Sequence, residues 1–303
     1  METELSPRIK HAWLRVLLFI IVYFIFLTAF GILGFAVKTF FDKKILLDSL
    51  ENVAQALQSV NDNMLDFHIF SMPFSFVGSV AAVFIFRKLI DRRSFTSLGF
   101  QVAGWAKQLS YGFLAGFTVI AIGYFILYFT GYVSVTHIQF DGVSFVGLFC
   151  FFILVAAHEE LVFRGYVLNN LLGSYNKWIS LFISSLIFAL VHISNPNMGY
   201  LPIINLFLAG VIFGIYYMHK KDLWFPIGMH LTWNFSQGPV FGFEVSGLKL
   251  DSFITQHISG NQLITGGEFG FEGSILCTVF SVVFIFFLHF KLSKPITVPK
   301  NYC

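Results

Sequence analysis

The sequence predicts an all-α polytopic membrane protein with about eight transmembrane helices. Three observations indicate this class. Of the 303 residues, 56% are hydrophobic and only 12% are charged, whereas soluble domains contain about 25% charged residues. Apolar runs long enough to cross a bilayer recur along the chain. Lys and Arg are concentrated in alternate connections between these runs, as expected for loops on one side of a membrane.

The same composition excludes several other classes of protein. The high hydrophobic fraction excludes an intrinsically disordered chain. Three cysteines, Cys150, Cys277 and Cys303, are too few and too far apart for a disulfide scaffold or a cysteine metal site. The net charge of +3 comes from short, scattered clusters rather than a dense basic stripe, so nucleic acid is excluded as a partner.

The first apolar run, residues 16–37, contains 22 residues without a charge. It is too long for the core of a signal peptide, and no clear cleavage pattern precedes Lys38, so it predicts a permanent helix. Two later runs are interrupted by polar residues, which leaves a margin of one or two on the count of eight. The further runs are residues 67–87, 109–130, 143–170, 178–195, 199–218, 224–238 and 273–290.

The distribution of basic residues predicts the orientation. With eight spans, 14 of the 19 Lys and Arg residues fall on the side of the N-terminus and four fall on the opposite side. The positive-inside rule therefore places both termini in the cytoplasm of a protein that spans the cell membrane. Residues 43–63 show a helical period of apolar residues and predict an amphipathic helix at the outer interface.

Ionisable residues inside the spans are the main functional signal, because each costs roughly 2.5 to 3.5 kcal/mol at the centre of a membrane helix unless it is paired or used. They form three groups in successive spans. The groups are His158-Glu159-Glu160-Leu161-Val162-Phe163-Arg164, Phe188-Ala189-Leu190-Val191-His192 and His230-Leu231-Thr232-Trp233-Asn234.

The first group separates two glutamates. Glu160 and Arg164 are four residues apart in the favourable order for a helical ion pair, while Glu159 points about 100° away around the helix. If both carboxylates served only to pair with Arg164, Glu159 would have no cation on its own face. His158 does not complete a zincin motif, because position 162 is Val, and we expect it to be a supporting or incidental residue.

The other two groups supply what a single carboxylate lacks. A histidine exchanges a proton near neutral pH, and His192 can hold one water against Glu159 if their helices are neighbours. His230 and Asn234 share a helix face and can donate two hydrogen bonds to one oxygen. Each histidine alone is more often a packing residue, but together the residues predict a hydrolytic site in an intramembrane cavity.

These motifs resemble the CAAX protease and bacteriocin-processing (CPBP, or ABI) family of intramembrane endopeptidases, in a bacterial-type member. The family pattern is Glu-Glu-x-x-x-Arg, Phe-x-x-x-His and His-x-x-x-Asn, and the matching core runs from about 143 to 238. A later stretch, residues 265–274, is similar to a segment that precedes the last helix in bacterial members. The matching residues are Glu159, Glu160, Arg164, Phe188, His192, His230 and Asn234.

The resemblance implies an eight-helix peptide hydrolase of the glutamate type. In it, Glu159 and His192 activate water, His230 and Asn234 form the oxyanion hole, and Glu160 with Arg164 supports the site. The family has also been described as metalloendopeptidases, so zinc held by His192, His230 and Glu159 stays open as a cofactor. We favour no metal, because Asn234 is a poor zinc ligand and suits an oxyanion donor.

The resemblance also predicts how the chain is organised and what it meets. Residues 1–142 form three N-terminal helices with the interfacial segment, residues 143–238 form the catalytic core, and residues 239–303 form a loop or re-entrant segment, the last helix and a tail. The expected partners are the lipid bilayer and a membrane-associated peptide or protein substrate. The rival functions are a non-catalytic bacteriocin immunity protein and a proton-coupled transporter.

One geometric condition accompanies this prediction. His192 lies 14 residues, or roughly 21 Å, beyond Trp178, whereas His230 lies six residues, or roughly 9 Å, beyond Trp224. Straight helices of equal depth would not bring the two histidines to one level. The sequence therefore predicts tilted, staggered or partial helices around the cavity.

Overall fold

The structure, a computed structural model, describes residues 6–41 and 64–293. The predicted interfacial helix at 43–63 lies outside these residues. The described chain is mainly helical, as the sequence predicts. Its principal helices are α1 (Ala12–Phe41), α2 (Met64–Ile85), α3 (Trp105–Phe129), α4 (Gly142–Glu160), α5 (Lys177–Val191), α6 (Tyr200–Lys220), α7 (Trp224–Phe235) and α8 (Ile275–Leu292).

Three helices continue as π-helix, whose hydrogen bonds join residues five apart instead of four. The π segments are Phe86–Ile90 after α2, Leu161–Leu168 after α4 and Ser236–Val240 after α7. A further α-helical turn, Asn169–Leu172, completes the helix that begins with α4. The second π segment begins directly after the predicted site residue Glu160, and the third begins two residues after Asn234.

Within the described residues, six helices are long and apolar enough to cross a membrane. They confirm a multi-pass membrane protein. Helix α5 has 15 residues and α7 has 12, so the predicted count of eight spans is not confirmed by helix length. Both short helices carry one of the motifs, which is consistent with the partial helices that the motif depths require.

Glycines set the contact between α3 and α7. A Cβ atom at Gly112 would lie 2.0 Å from the Phe225 carbonyl oxygen, and one at Gly116 would lie 2.3 Å from the Met229 oxygen. From the other side, a Cβ at Gly228 would lie 2.4 Å from the Leu109 oxygen. The backbones therefore approach as closely as small residues allow, as is common between membrane helices, and this contact fixes the position of α7.

A buried ionic network joins the cytoplasmic ends of α1, α2 and the α4 segment, on the predicted orientation. Asp91 accepts hydrogen bonds from Arg87 at 3.2 Å and from Asn170 at 3.1 Å, and it lies 3.3 Å from Arg15. Arg15 also donates to Asn170 at 2.8 Å. From the sequence alone Arg15 and Arg87 are predicted to be loop cations, but both are buried parts of this network.

Two short strands add a feature that the all-α prediction lacked. Strand β1 (Val133–Ile138) follows α3, and β2 (Ile254–Ile258) lies in the long connection between α7 and α8. They pair antiparallel, from Val133 opposite Ile258 to Ile138 opposite Ile254. The pairing ties the α7 to α8 connection to the start of α4, on the side of the molecule away from the ionic network.

Candidate active site

The structure brings the three motifs to one place. Glu159 lies near the end of α4, His192 is the residue directly after α5, and His230 lies in the middle of α7. Oε2 of Glu159 is 3.6 Å from Nε2 of His192 and 3.9 Å from Nε2 of His230. One carboxylate oxygen thus faces two imidazoles from two other helices, as the sequence predicts.

The stagger of the helices explains how the histidines become level. His192 lies beyond the end of α5, whereas His230 lies only six residues after the first residue of α7. At 1.5 Å per residue, the start of α7 lies roughly 14 Å closer to the level of the site than the start of α5. The start of α7 is held by the connection between α2 and α3, because the N–H of Leu223, directly before α7, donates to the Gly99 carbonyl at 3.0 Å.

Glu160 points away from the cavity and is completely buried. Its Oε1 accepts a hydrogen bond from Arg164 Nη1 at 2.8 Å, which is the predicted ion pair. The same oxygen lies 2.9 Å from Nδ1 of His230. Glu160 therefore does more than the sequence indicates, since it joins α4 to the catalytic histidine candidate of α7.

Aromatic rings and a backbone carbonyl hold Arg164. The guanidinium carbon lies 4.3 Å from the centre of the Phe188 ring and 5.0 Å from that of Phe213. Nη2 donates to the Gly210 carbonyl at 3.3 Å. Cation–π contacts of this kind are strongest for desolvated groups. Phe188 of the second motif therefore stabilises the buried Arg164 of the first motif.

The partners of the two Nδ1 atoms define the orientation of each imidazole. Nδ1 of His192 lies 2.7 Å from the Phe188 carbonyl oxygen. A carbonyl only accepts, so this nitrogen carries the proton. Nδ1 of His230 lies 2.9 Å from Oε1 of Glu160, an oxygen that already accepts a hydrogen bond from Arg164, so this imidazole nitrogen is the donor. Both rings therefore present Nε2 to Glu159.

His158 lies outside this group. Its Nε2 forms hydrogen bonds of 2.9 Å with Tyr23 Oη and with Ser79 Oγ. These contacts join α1 and α2 to α4 through one buried imidazole. His158 thus supports the helix packing beside the site, as the sequence analysis expects of a residue that is not a ligand.

The candidate site opens into a cavity of about 500 Å³. Asn234 lies one turn after His230 and lines the same cavity. Apolar side chains from α1, α2 and α4 form most of one wall, including Phe24, Met72 and Phe152. The site therefore combines a small polar centre with an apolar approach, as binding sites for partly apolar ligands do.

Sequence reasoning missed one acidic residue in this cavity. Glu272, in the connection before α8, lines the cavity and is 6% exposed. It belongs to the 265–274 stretch that the resemblance singled out, but nothing in the sequence indicates that its side chain reaches α7. The one feature of the sequence that could have singled out Glu272 is its position in an apolar region with no basic residue near it in sequence.

A metal ion is the alternative activator to be considered at this site. Within residues 6–41 and 64–293, no group of three or more His, Cys, Asp or Glu side chains is positioned to hold a metal ion. Glu159, His192 and His230 have suitable donor atoms for zinc, and these three residues would hold the ion if one were bound.

Comparison with known proteins identifies a family that resembles the central part of the chain. Residues 141–236 match the family described as Rce1-like, type II CAAX prenyl endopeptidase. The chain is also 33% identical over 86 residues to an Escherichia coli protein named "Uncharacterized 24.3 kDa protein". That similarity covers 28% of this chain and 39% of the relative's length, so the chain spans about two fifths of the curated relative that it matches.

The fold is that of a multi-pass membrane protein, and Glu159, His192 and His230 line one cavity between its helices. The matched segment includes all three motifs. Residues 141–236 are therefore similar to the CAAX prenyl endopeptidase family, which confirms over this segment the resemblance predicted from the motifs. The family that residues 141–236 match is a family of peptidases.

Proposed function

We propose that this chain is an intramembrane endopeptidase in which Glu159 and His192 activate the attacking water. The observation that carries the proposal is the convergence of Glu159 Oε2 with Nε2 of His192 and of His230 within 3.6 and 3.9 Å. An ionised Glu159 and a neutral His192 both accept hydrogen bonds. A water between them donates both protons and presents its lone pairs to a peptide carbonyl.

The reaction needs only groups of this chain. The water oxygen forms a bond to the carbonyl carbon while one water proton passes to Glu159. The resulting oxyanion is stabilised by Asn234 and by Nε2 of His230, which donates when the ring is protonated and Glu160 compensates its charge. The C–N bond then breaks, and Glu159 returns its proton to the leaving amine.

The proposed substrate is a membrane-associated peptide or protein, such as a CAAX prenyl sequence. The apolar cavity wall supports this class, because a peptide that carries an apolar segment or a lipid group binds there without exposing that group to water. We further propose that the chain lies in the plasma membrane with both termini cytoplasmic, on the strength of the loop charges.

The test is a cleavage assay with purified protein in lipid vesicles. Synthetic peptides that end in a prenylated Cys-a-a-X sequence are incubated beside unprenylated ones, and the products are identified by mass spectrometry. We expect cleavage by the wild type and none by Glu159→Gln. Glu268→Gln is the matched control, because Glu268 is exposed, and it should cleave normally.

The assay also separates the rival functions. An immunity protein or another pure binding protein should retain its biological effect without the Glu159 carboxylate and should cleave no peptide. A proton-coupled transporter should lose transport in Glu159→Gln, again with no cleavage by the wild type. A wild type that cleaves neither class of peptide under conditions where the fold is intact would contradict the proposal.

A further inference from the structure

Glu272 is a buried carboxylate that the proposed reaction does not use. Its Oε1 accepts a hydrogen bond from Trp233 Nε1 at 3.0 Å. Its Oε2 accepts from Ser246 N–H at 3.1 Å and from Ser246 Oγ at 2.8 Å. No ion pair of the described part of the chain includes Glu272, so three neutral donors compensate the burial of this group. We call Glu272, Trp233 and Ser246 together the Glu272 clamp.

The first arm of the clamp acts on α7. Trp233 lies directly before Asn234 and three residues after His230, so its ring and the His230 side chain lie on neighbouring parts of one helix surface. The indole is 2% exposed. A hydrogen bond from its edge to Glu272 therefore fixes the rotation of α7 about its axis, on which the direction of His230 and Asn234 depends.

The second arm holds a tight turn at the wall of the cavity. Val245 and Leu248 exchange two backbone hydrogen bonds of 2.9 Å, and Ser246 and Gly247 have φ of 51° and 85°. This is the backbone pattern of a two-residue hairpin turn. Val245, Ser246 and Leu248 all line the cavity that contains Glu159.

The turn also packs closely against the backbone that follows His192 of the second motif. A Cβ atom at Gly247 would lie 2.2 Å from the Pro196 carbonyl oxygen, four residues after His192. Gly247 N–H donates to the Phe269 carbonyl at 3.1 Å. The base of the clamp is itself held, since Asn205 of α6 donates to the backbone oxygens of Glu272 and Ser274 at 2.7 and 2.9 Å.

We infer that Glu272 is a positioning residue for peptide hydrolysis, which orients the oxyanion donors through Trp233 and the substrate-binding wall through Ser246. This inference rests on the proposed function. It divides the clamp into two arms with different kinetic effects. The hydrogen bond to Trp233 positions His230 and Asn234, which contact the reacting atoms. The hydrogen bonds from Ser246 position the turn at the cavity wall, which contacts the substrate outside the scissile bond.

The experiment measures kcat and KM for three variants. Trp233→Phe removes the donor and keeps an aromatic ring, and we expect kcat to fall about tenfold or more with little change in KM, as for a lost hydrogen bond to a charged group. Ser246→Ala removes one of two donors to Oε2 and should raise KM severalfold with kcat nearly unchanged. Glu272→Gln should show both effects, and Glu268→Gln neither.

A merely structural carboxylate gives a different result. In that case both single-arm variants lose activity in proportion to the folded fraction, measured by thermal unfolding, and KM and kcat do not separate. That result would overturn the inference. Unchanged kcat and KM in Glu272→Gln would overturn it as well.

A second measurement does not depend on proteolysis. Val245 is 4% exposed, so a cysteine there should react slowly with a maleimide in a chain whose three native cysteines are replaced by alanine. We expect Glu272→Gln to accelerate the labelling of Val245→Cys, and Glu268→Gln to leave it unchanged. Equal rates would refute the clamp. A wild type that cleaves no peptide but shows the labelling difference would refute the proposed function and support the clamp.

Discussion

Oε1 of Glu160 lies 2.9 Å from Nδ1 of His230 and 2.8 Å from Nη1 of Arg164. One carboxylate oxygen thus contacts both a cation on its own helix and an imidazole 70 residues later in the chain. Glu160 and Arg164 are buried almost completely, with 0% and 1% exposure. The two adjacent glutamates therefore have separate environments, one inside the protein and one on the cavity.

Changes at Glu160 and Arg164 should affect stability as well as activity. Breaking a buried ion pair by removing one partner typically costs about 3–5 kcal/mol, so Arg164→Ala and Glu160→Gln should lower the midpoint of thermal unfolding and abolish cleavage. Glu159→Gln should abolish cleavage and leave the midpoint unchanged. Equal losses of folded protein in all three variants would show that Glu159 is also structural.

His230→Asn tests the proposed absence of a metal. In the metal-free mechanism Asn234 remains as a donor, so we expect weak residual activity after a loss of roughly 10²- to 10³-fold, and activity of the wild type should survive exhaustive chelation. Elemental analysis of the purified protein tests the alternative, in which zinc activates the water. Near-stoichiometric zinc in the wild type that is lost in His230→Asn with all activity would make zinc the activator.

The contact between α3 and α7 should tolerate no added methyl group. Gly112→Ala places a Cβ against the Phe225 carbonyl, and we expect a loss of at least about 1–3 kcal/mol in unfolding free energy, as for overpacked cores. Because α7 carries His230, cleavage should fall too. Gly147→Ala in α4 is the control, since a Cβ there meets nothing within 4 Å, and its stability should equal that of the wild type or exceed it.

The orientation in the membrane is tested by reporter fusions. A fusion after Lys300 should be active with a cytoplasmic reporter such as a fluorescent protein, and inactive with alkaline phosphatase, which folds only outside. A second fusion within the connection between α7 and α8 should give the reverse pattern. A C-terminal phosphatase that is active would mean that the loop charges were interpreted with the wrong orientation.

The sequence predicted the centre of the candidate site because the relevant chemistry is local. A carboxylate and a cation four residues apart define the pair of Glu160 and Arg164, and this spacing also directs Glu159 to another face. The convergence with His192 and His230 was predicted from the cost of leaving such groups alone in a membrane. The stagger of α5 and α7 followed from counting residues to each histidine.

The contacts that sequence reasoning missed are long-range. Nothing local to Glu160 indicates that Nδ1 of His230 shares its oxygen, and nothing near Glu272 indicates Trp233. Arg15 was taken for a loop cation because the sequence does not show that Asp91 is available to it. Each of these contacts depends on how helices pack, and the hydrophobic pattern of a membrane helix contains little information about which neighbour it meets.

The π segment at Leu161–Leu168 determines where this helix can change in length. A π turn accommodates one residue more than an α turn, so the segment can lose a single residue, return to the ordinary hydrogen-bond pattern and leave the rest of the helix facing nearly the same way. One residue lost from the α-helical part before it would instead turn everything that follows by about 100°. Asn170, which meets Arg15 and Asp91 beyond this segment, would keep its partners in the first case and lose them in the second.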